Sequence, residues 1–311
     1  MSPQTEPLTS RSLVMVTGKG GVGKTTVAAA LGLRAARGGR RTIVCEVGAQ
    51  RRLPRLFGVE ADEGDEVRLR GDLWATSIDP EPALREWLSR QLGSRQLVDL
   101  LARSNLFQYF VAAAPGAKEL VTVTKLWELA QAARWRKGAE AYDTVVVDLP
   151  ASGHGVGLMR TARTFADVAR VGPIANQAGA VRDAIEDPAA STMVAVSLPG
   201  ELPVSETLDL ERSIDRELRR PVDAIVVNAL LEERFSPDEV GEVSALAGAV
   251  AGPMPRRAVR AQAGRSAAQH EQLVRLLEHA RAPVSTLPFL PREGLSLADV
   301  ELLEDRLDER F

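Results

Sequence analysis

A single cysteine, Cys45, leaves this 311-residue chain without an internal disulfide, an iron–sulfur cluster or a cysteine-built zinc site. A chain so poor in thiols suits a reducing compartment, and a cytoplasmic setting is expected. Histidine occurs only at positions 154, 270 and 279. His270 and His279 have no metal-binding partner three or four residues away, so both are expected at the surface. Long apolar runs are missing as well: none reaches the ~18 residues of a membrane span. Met1 to Ser12 carries no apolar core of a secretory signal, and residues 1–11 are expected to form a flexible tail. A net charge of −3 exerts no overall pull toward nucleic acid or anionic lipid. Lysine is scarce, found only at 19, 24, 118, 125 and 137, so arginine supplies most of the positive charge.

The apolar fraction of 45% is ordinary for a soluble globular chain. Short apolar runs alternate with amphipathic stretches, the pattern of an α/β fold with a mostly parallel, doubly wound sheet. Strands are expected at Leu13–Val16, Arg41–Cys45, Asp72–Ile78, Tyr142–Asp148, Thr192–Val196, Ala224–Val227 and Val284–Leu287. Helices are expected near 204–219, 262–281 and 295–309. Between Pro80 and Lys137 the apolar residues recur at helical spacing, with a break at Ala112-Ala113-Ala114-Pro115-Gly116. Residues 80–137 are therefore expected to be a helical insertion within one domain spanning 1–311.

One segment carries a specific chemistry. Gly18-Lys19-Gly20-Gly21-Val22-Gly23-Lys24-Thr25 fits the phosphate-loop pattern G-x-x-x-x-G-K-[ST]. A strand precedes it, and a helix follows from Thr26. Glycines let successive backbone N–H groups converge on an anion at the helix N-terminus. Lys24 then reaches the β- and γ-phosphates of a nucleotide, and the Thr25 hydroxyl can ligate Mg²⁺. Asp148 ends the most apolar strand, where a carboxylate can hold Mg²⁺ through water.

Lys19 is not required by the ordinary pattern. With it, the loop resembles the deviant Walker A motif of the P-loop ATPases that include ArsA, MinD, ParA, nitrogenase iron protein and the tail-anchored-protein targeting ATPase. Asp148-Leu149-Pro150-Ala151-Ser152-Gly153-His154 resembles the switch II segment of the ArsA and targeting-ATPase branch, after a slip of one residue. The match is closest to single-domain, bacterial ArsA-like anion-transporting ATPases. The resemblance implies a P-loop NTPase fold, ATP and Mg²⁺ as ligands, and a dimer. Lys19 would cross to the partner's phosphates, a cation supplied in trans. It also implies that Asn228 binds adenine, and that Pro288 and Phe289 lie in the other adenine-side loop. Gly18, Gly20, Gly21, Val22, Gly23 and Thr26 complete the expected nucleotide contacts.

One departure bears on catalysis. Where the family has an aspartate that orients water, this chain has Val47, and Glu46 is the only nearby carboxylate. Hydrolysis would be slow, rely on Glu46, or depend on a partner chain. The leading expectation is an ATP-driven dimeric switch acting on a protein or membrane-associated client. Two alternatives stand: a hydrolysis-deficient regulatory subunit paired with a paralogous ATPase, and a positioning ATPase of the MinD or ParA kind. The chain lacks the cysteines for arsenite or interchain zinc. Its C-terminal stretch is amphipathic but acidic, which argues against membrane binding. The runs Arg51-Arg52-Leu53-Pro54-Arg55 and Arg134-Trp135-Arg136-Lys137, and the turn at Arg256-Arg257 and Arg260, are expected to be solvated surface. Trp87, Phe107, Tyr109, Phe110, Trp127 and Trp135 in the insertion could line a client groove or fill a subdomain core.

Overall fold

β-Branched runs with buried residues on both faces build the centre of the molecule. The computed structural model describes residues 6–48, 51–62, 64–92, 116–168, 172–234, 236–251 and 253–311. Eight strands form one sheet: β1 (Leu13–Gly18), β2 (Thr42–Val47), β3 (Val67–Arg70), β4 (Leu73–Ile78), β5 (Thr144–Asp148), β6 (Ser191–Ser197), β7 (Ala224–Leu230) and β8 (Val284–Pro288). Their order is β3-β4-β2-β5-β1-β6-β7-β8. All neighbours run parallel except β3, which pairs antiparallel with β4. β3 is the strand the sequence pattern does not reveal. It is four residues long, lies at an edge, and alternates half-buried Val67 and Leu69 with exposed Arg68 and Arg70.

The described helices are α1 (Lys24–Arg37), α2 (Arg52–Leu56), α3 (Pro80–Leu92), α4 (Ala117–Leu129), α5 (Ser152–Val168), α6 (Pro173–Glu186), α7 (Glu201–Leu218), α8 (Pro237–Ala251), α9 (Pro253–His279) and α10 (Leu297–Asp305). The sheet is covered on both faces, and strand alternation divides the core in two. Leu13, Met15, Ile43, Cys45, Val145 and Val147 face one layer, against α4, α5, α6 and α7. Val14, Val16, Val44 and Val146 face the other, against α1 and α10. Val300, Leu303, Leu307 and Phe311 are buried in that second layer, so the apolar face of the C-terminal stretch is packed inside. Glu304 of α10 pairs with Arg34 and Arg37 of α1.

Several expectations change. Residues 8–11 do not belong to a loose tail: Leu8 N–H donates to the Arg310 carbonyl at 2.7 Å, and Thr9 is buried. Arg134 is no solvated charge. It is 7% exposed and pairs with Glu128 (2.9 Å) and Glu66 (2.5 Å). Arg256, Arg257 and Arg260 lie on α9 rather than in a turn. Trp127 packs against the first core layer, and Lys125 sits over the Trp135 ring. Phe107, Tyr109 and Phe110 lie outside the described residues.

Candidate nucleotide site

Winding reverses at the centre of the sheet: β5 lies on one side of β1 and β6 on the other. Ligands of open α/β sheets bind at the carboxyl ends of the strands at such a point. Here the β1–α1 loop occupies it. Gly18 closes β1 so tightly that a Cβ would sit 2.3 Å from the Val196 carbonyl. Gly23 has φ +91°, and a Cβ there would meet Asn228 Nδ2 at 2.2 Å. Both positions require glycine, one for close approach and one for its left-handed backbone as well.

From this loop Lys24 and Thr25 enter α1. Lys24 Nζ donates to the Lys19 carbonyl at 2.9 Å, which folds the side chain back across the loop. Burial lowers the Lys24 pKa, with Asp148 acting in the opposite sense and Arg52 in the same sense. Thr25 Oγ1 donates to Asp148 Oδ2 at 2.5 Å. Asp148 Oδ1 is buried with no hydrogen-bond partner among the described residues. Burial raises the Asp148 pKa against the opposing pull of Thr25, Lys24 and Arg52. A hydroxyl and an underused carboxylate, both hard oxygen donors, fit Mg²⁺ held mainly through substrate phosphates and water. No cluster of three acidic, histidine or cysteine ligands exists among the described residues, as such a shared site requires none.

A cleft of about 770 Å³ opens here. Gly20, Gly21, Gly23, Lys24, Thr25 and Thr26 form its floor, with Asp148, Leu149, Pro150 and Ala151 beside them. Glu46, Val47, Arg52, Arg55 and Leu56 form the facing wall, and Leu295 closes an edge. Gly18, Lys19, Val22, Asn228, Pro288 and Phe289 are outside the lining.

Glu46 neighbours Asp148 across the β2–β5 pairing. It is 2% exposed, and its two oxygens accept the Arg52 and Leu53 backbone N–H groups, each at 3.1 Å. The residue expected as a catalytic carboxylate therefore caps α2. Burial raises its pKa, opposed chiefly by those two bonds. Asn228 donates from Nδ2 to the Val22 carbonyl at 3.0 Å, bracing the phosphate loop. Phe289 is half exposed, and its N–H bonds to the Leu230 carbonyl at the same sheet end. Lys19 turns away from the cleft and pairs with Glu206 of α7 at 2.7 Å.

Arg52 and Arg55 are the residues that sequence reasoning missed. Their run looks like a solvated basic stretch. The available signal was their spacing of three on a helix that begins just past the carboxyl end of β2, which puts both on one face.

A family model for anion-transporting ATPases, the ArsA ATPase model, matches residues 11–178. ATPase BagA of Mycobacterium tuberculosis and a putative ATPase of Mycobacterium bovis are each 29% identical over 238 residues. Those matches cover 75% of this chain and 69% of each relative. ATPase GET3B of Arabidopsis thaliana is 25% identical over 272 residues, covering 72% of this chain and 65% of the relative. The family match takes in more than half of the chain, including the phosphate loop, Glu46 and Asp148, and on that basis the chain belongs to the ArsA family of anion-transporting ATPases.

Proposed function

We propose that the chain binds and hydrolyses ATP with Mg²⁺, and that nucleotide drives two chains together as a switch. The convergence of Lys24, Thr25 and Asp148 at the mouth of β1 and β5 carries this reading. Loop N–H groups and Lys24 hold the phosphates; Thr25 and Asp148 hold the cation, which neutralises charge on the phosphate oxygens. Asn228 and the Pro288-Phe289 corner take the adenine side, since they lie beyond the phosphate loop at the same sheet end.

The trans role of Lys19 has support of its own. Lys24 is committed to the home loop, whereas the Lys19 side chain is half exposed and, among the described residues, held by an ion pair with Glu206. Ion pairs at the surface are worth about 0–1 kcal/mol, and Lys19 is the exposed member of this one with Glu206 partly buried, so docking of a second chain can displace Glu206. Homodimer and heterodimer with a paralogous ArsA-like chain are both compatible with that surface. A reducing cytoplasm suits the lone, buried Cys45. The client, a protein or a membrane-associated one, would meet the region 80–137, whose described helices are α3 and α4.

A second reading follows from Glu46 and Val47. Val47 cannot position water, and Glu46 is occupied with α2. A chain that binds ATP and hydrolyses it poorly, regulating a catalytic paralogue, is consistent with both. A MinD- or ParA-like role loses support, because the α10 face is buried and two of the three basic runs are engaged in the fold or the cleft. Among the described residues no helix is long and apolar enough to cross a membrane.

Nucleotide binding is tested by titrating ATP with Mg²⁺ into the chain and into Lys24→Ala. Loss of one strongly placed phosphate contact costs about 3 kcal/mol, so affinity should fall by about 100-fold. Equal affinity in the two proteins would remove the phosphate-loop assignment.

A further inference from the structure

The cleft has two walls, and the nucleotide reading uses only one. Lys24, Thr25 and Asp148 stand on the β1–β5 side. Facing them, α2 presents Arg52 and Arg55, both solvent-exposed. Neither guanidinium has a hydrogen bond or ion pair among the described residues. That sets them apart from Arg34, Arg37, Arg134 and Arg220, whose carboxylate partners are in place. Arg52 is the nearer of the two to the cation-binding end: its charge acts on Lys24, Glu46 and Asp148 alike. Arg55 also borders a second depression with Glu60, Asp62 and Asp65, farther from the loop.

The position of Arg52 is set by the fold. Glu46, buried at the end of β2, accepts the Arg52 and Leu53 N–H groups and so pins the first turn of α2 beside Asp148. Leu53 is fully buried beneath it. The backbone is anchored while the side chain, which borders the cleft, has no partner among the described residues. A polyanion lying on the loop would have its distal end between Thr25–Asp148 and this wall. A guanidinium suits that end, because its planar fork matches phosphate oxygens two at a time.

We propose that Arg52 is a phosphate-recognising residue supplied by the same chain, contacting the terminal phosphate of a bound nucleoside triphosphate and so favouring triphosphate over diphosphate. This rests on the nucleotide reading of the cleft and adds to it the residue that tells ATP from ADP. Lys19 would supply charge from the partner; Arg52 supplies it from within. Occupation of the triphosphate state would also draw α2 onto the ligand, coupling the end of β2 to the nucleotide.

The test is calorimetric titration of the full chain with Mg²⁺ and either ADP or the non-hydrolysable AMP-PNP, in wild type, Arg52→Ala, Arg52→Lys, Arg55→Ala and Lys24→Ala. A hydrogen bond to a charged group is worth roughly 1.5–3 kcal/mol. Arg52→Ala should therefore weaken AMP-PNP by about 10- to 100-fold and leave ADP nearly unchanged. Arg52→Lys should recover part of the preference, and Arg55→Ala should shift it less. The Arg52 side chain holds no partner among the described residues, so its truncation should leave the melting temperature nearly unchanged. An unchanged preference in Arg52→Ala, equal loss for both nucleotides, or an equal shift in Arg55→Ala would overturn the assignment. Wild type that binds neither nucleotide, or Lys24→Ala that binds as wild type does, would overturn the underlying site instead.

Discussion

Asp148 stands where burial disfavours its charged form. Its oxygens have one neutral donor, Thr25, and one of them has no partner among the described residues. The raised pKa means that the folded chain binds this proton more tightly than the unfolded chain does. Stability from this group is complete below the ordinary aspartate value and is lost as pH rises through the raised one. Burial therefore opposes the charged form of Asp148, and a bound cation would favour it. Asp148→Asn keeps an acceptor for Thr25 and removes the charge. Its melting temperature without nucleotide should exceed that of wild type at pH 7, and the gain should shrink toward pH 4. The variant should also lose most of the stabilisation that ATP with Mg²⁺ confers. A gain of equal size at both pH values would contradict this account of Asp148.

At the scale of elements, α2 decides how the cleft is walled. It is only five residues long and includes Pro54, so its own propensity cannot sustain it. Glu46 holds it from β2, and Leu53 anchors it in the core. Glu46→Ala leaves two backbone donors without their acceptor, at a cost of about 1–3 kcal/mol. Chemical denaturation should read that loss, and ATP binding should weaken together with it as Arg52 moves away. A variant as stable as wild type would mean that α2 stands without its cap. Most of the sheet is legible in the sequence, because buried parallel strands read as continuous apolar runs: Val14-Met15-Val16 and Val145-Val146-Val147 are examples. The glycine-rich loop and Asp148 are located in the sequence for a related reason, since each ends an apolar strand run, Leu13–Gly18 and Thr144–Asp148. β3 and the role of α2 are not. β3 is short and polar, and the acceptor that makes α2 a helix comes from a different element. Arg134 misleads similarly, since its partners Glu66 and Glu128 lie 68 and 6 residues away in the chain.

Across the whole molecule, the candidate site gathers at the carboxyl ends of the central strands, while the amino ends of β2, β4 and β5 carry structural contacts. Arg41 stacks on Trp74 and Tyr142 there, and the Tyr142 hydroxyl donates to Glu66 at 2.8 Å. The C-terminal α10 packs on α1 in the second core layer. In the proposed switch Lys24, bonded to the Lys19 carbonyl, would serve the home site, whereas the Lys19 side chain, paired with Glu206, would reach a second chain. A dimeric switch therefore requires that turnover depend on encounter between chains. The most direct measurement is steady-state ATP turnover per chain over a range of protein concentrations, for wild type and Lys19→Ala, with ATP binding measured in the same preparations. The predicted result is turnover that rises with wild-type concentration and is lost in Lys19→Ala, which still binds ATP. Turnover that is independent of concentration and survives in Lys19→Ala would contradict the dimeric mechanism.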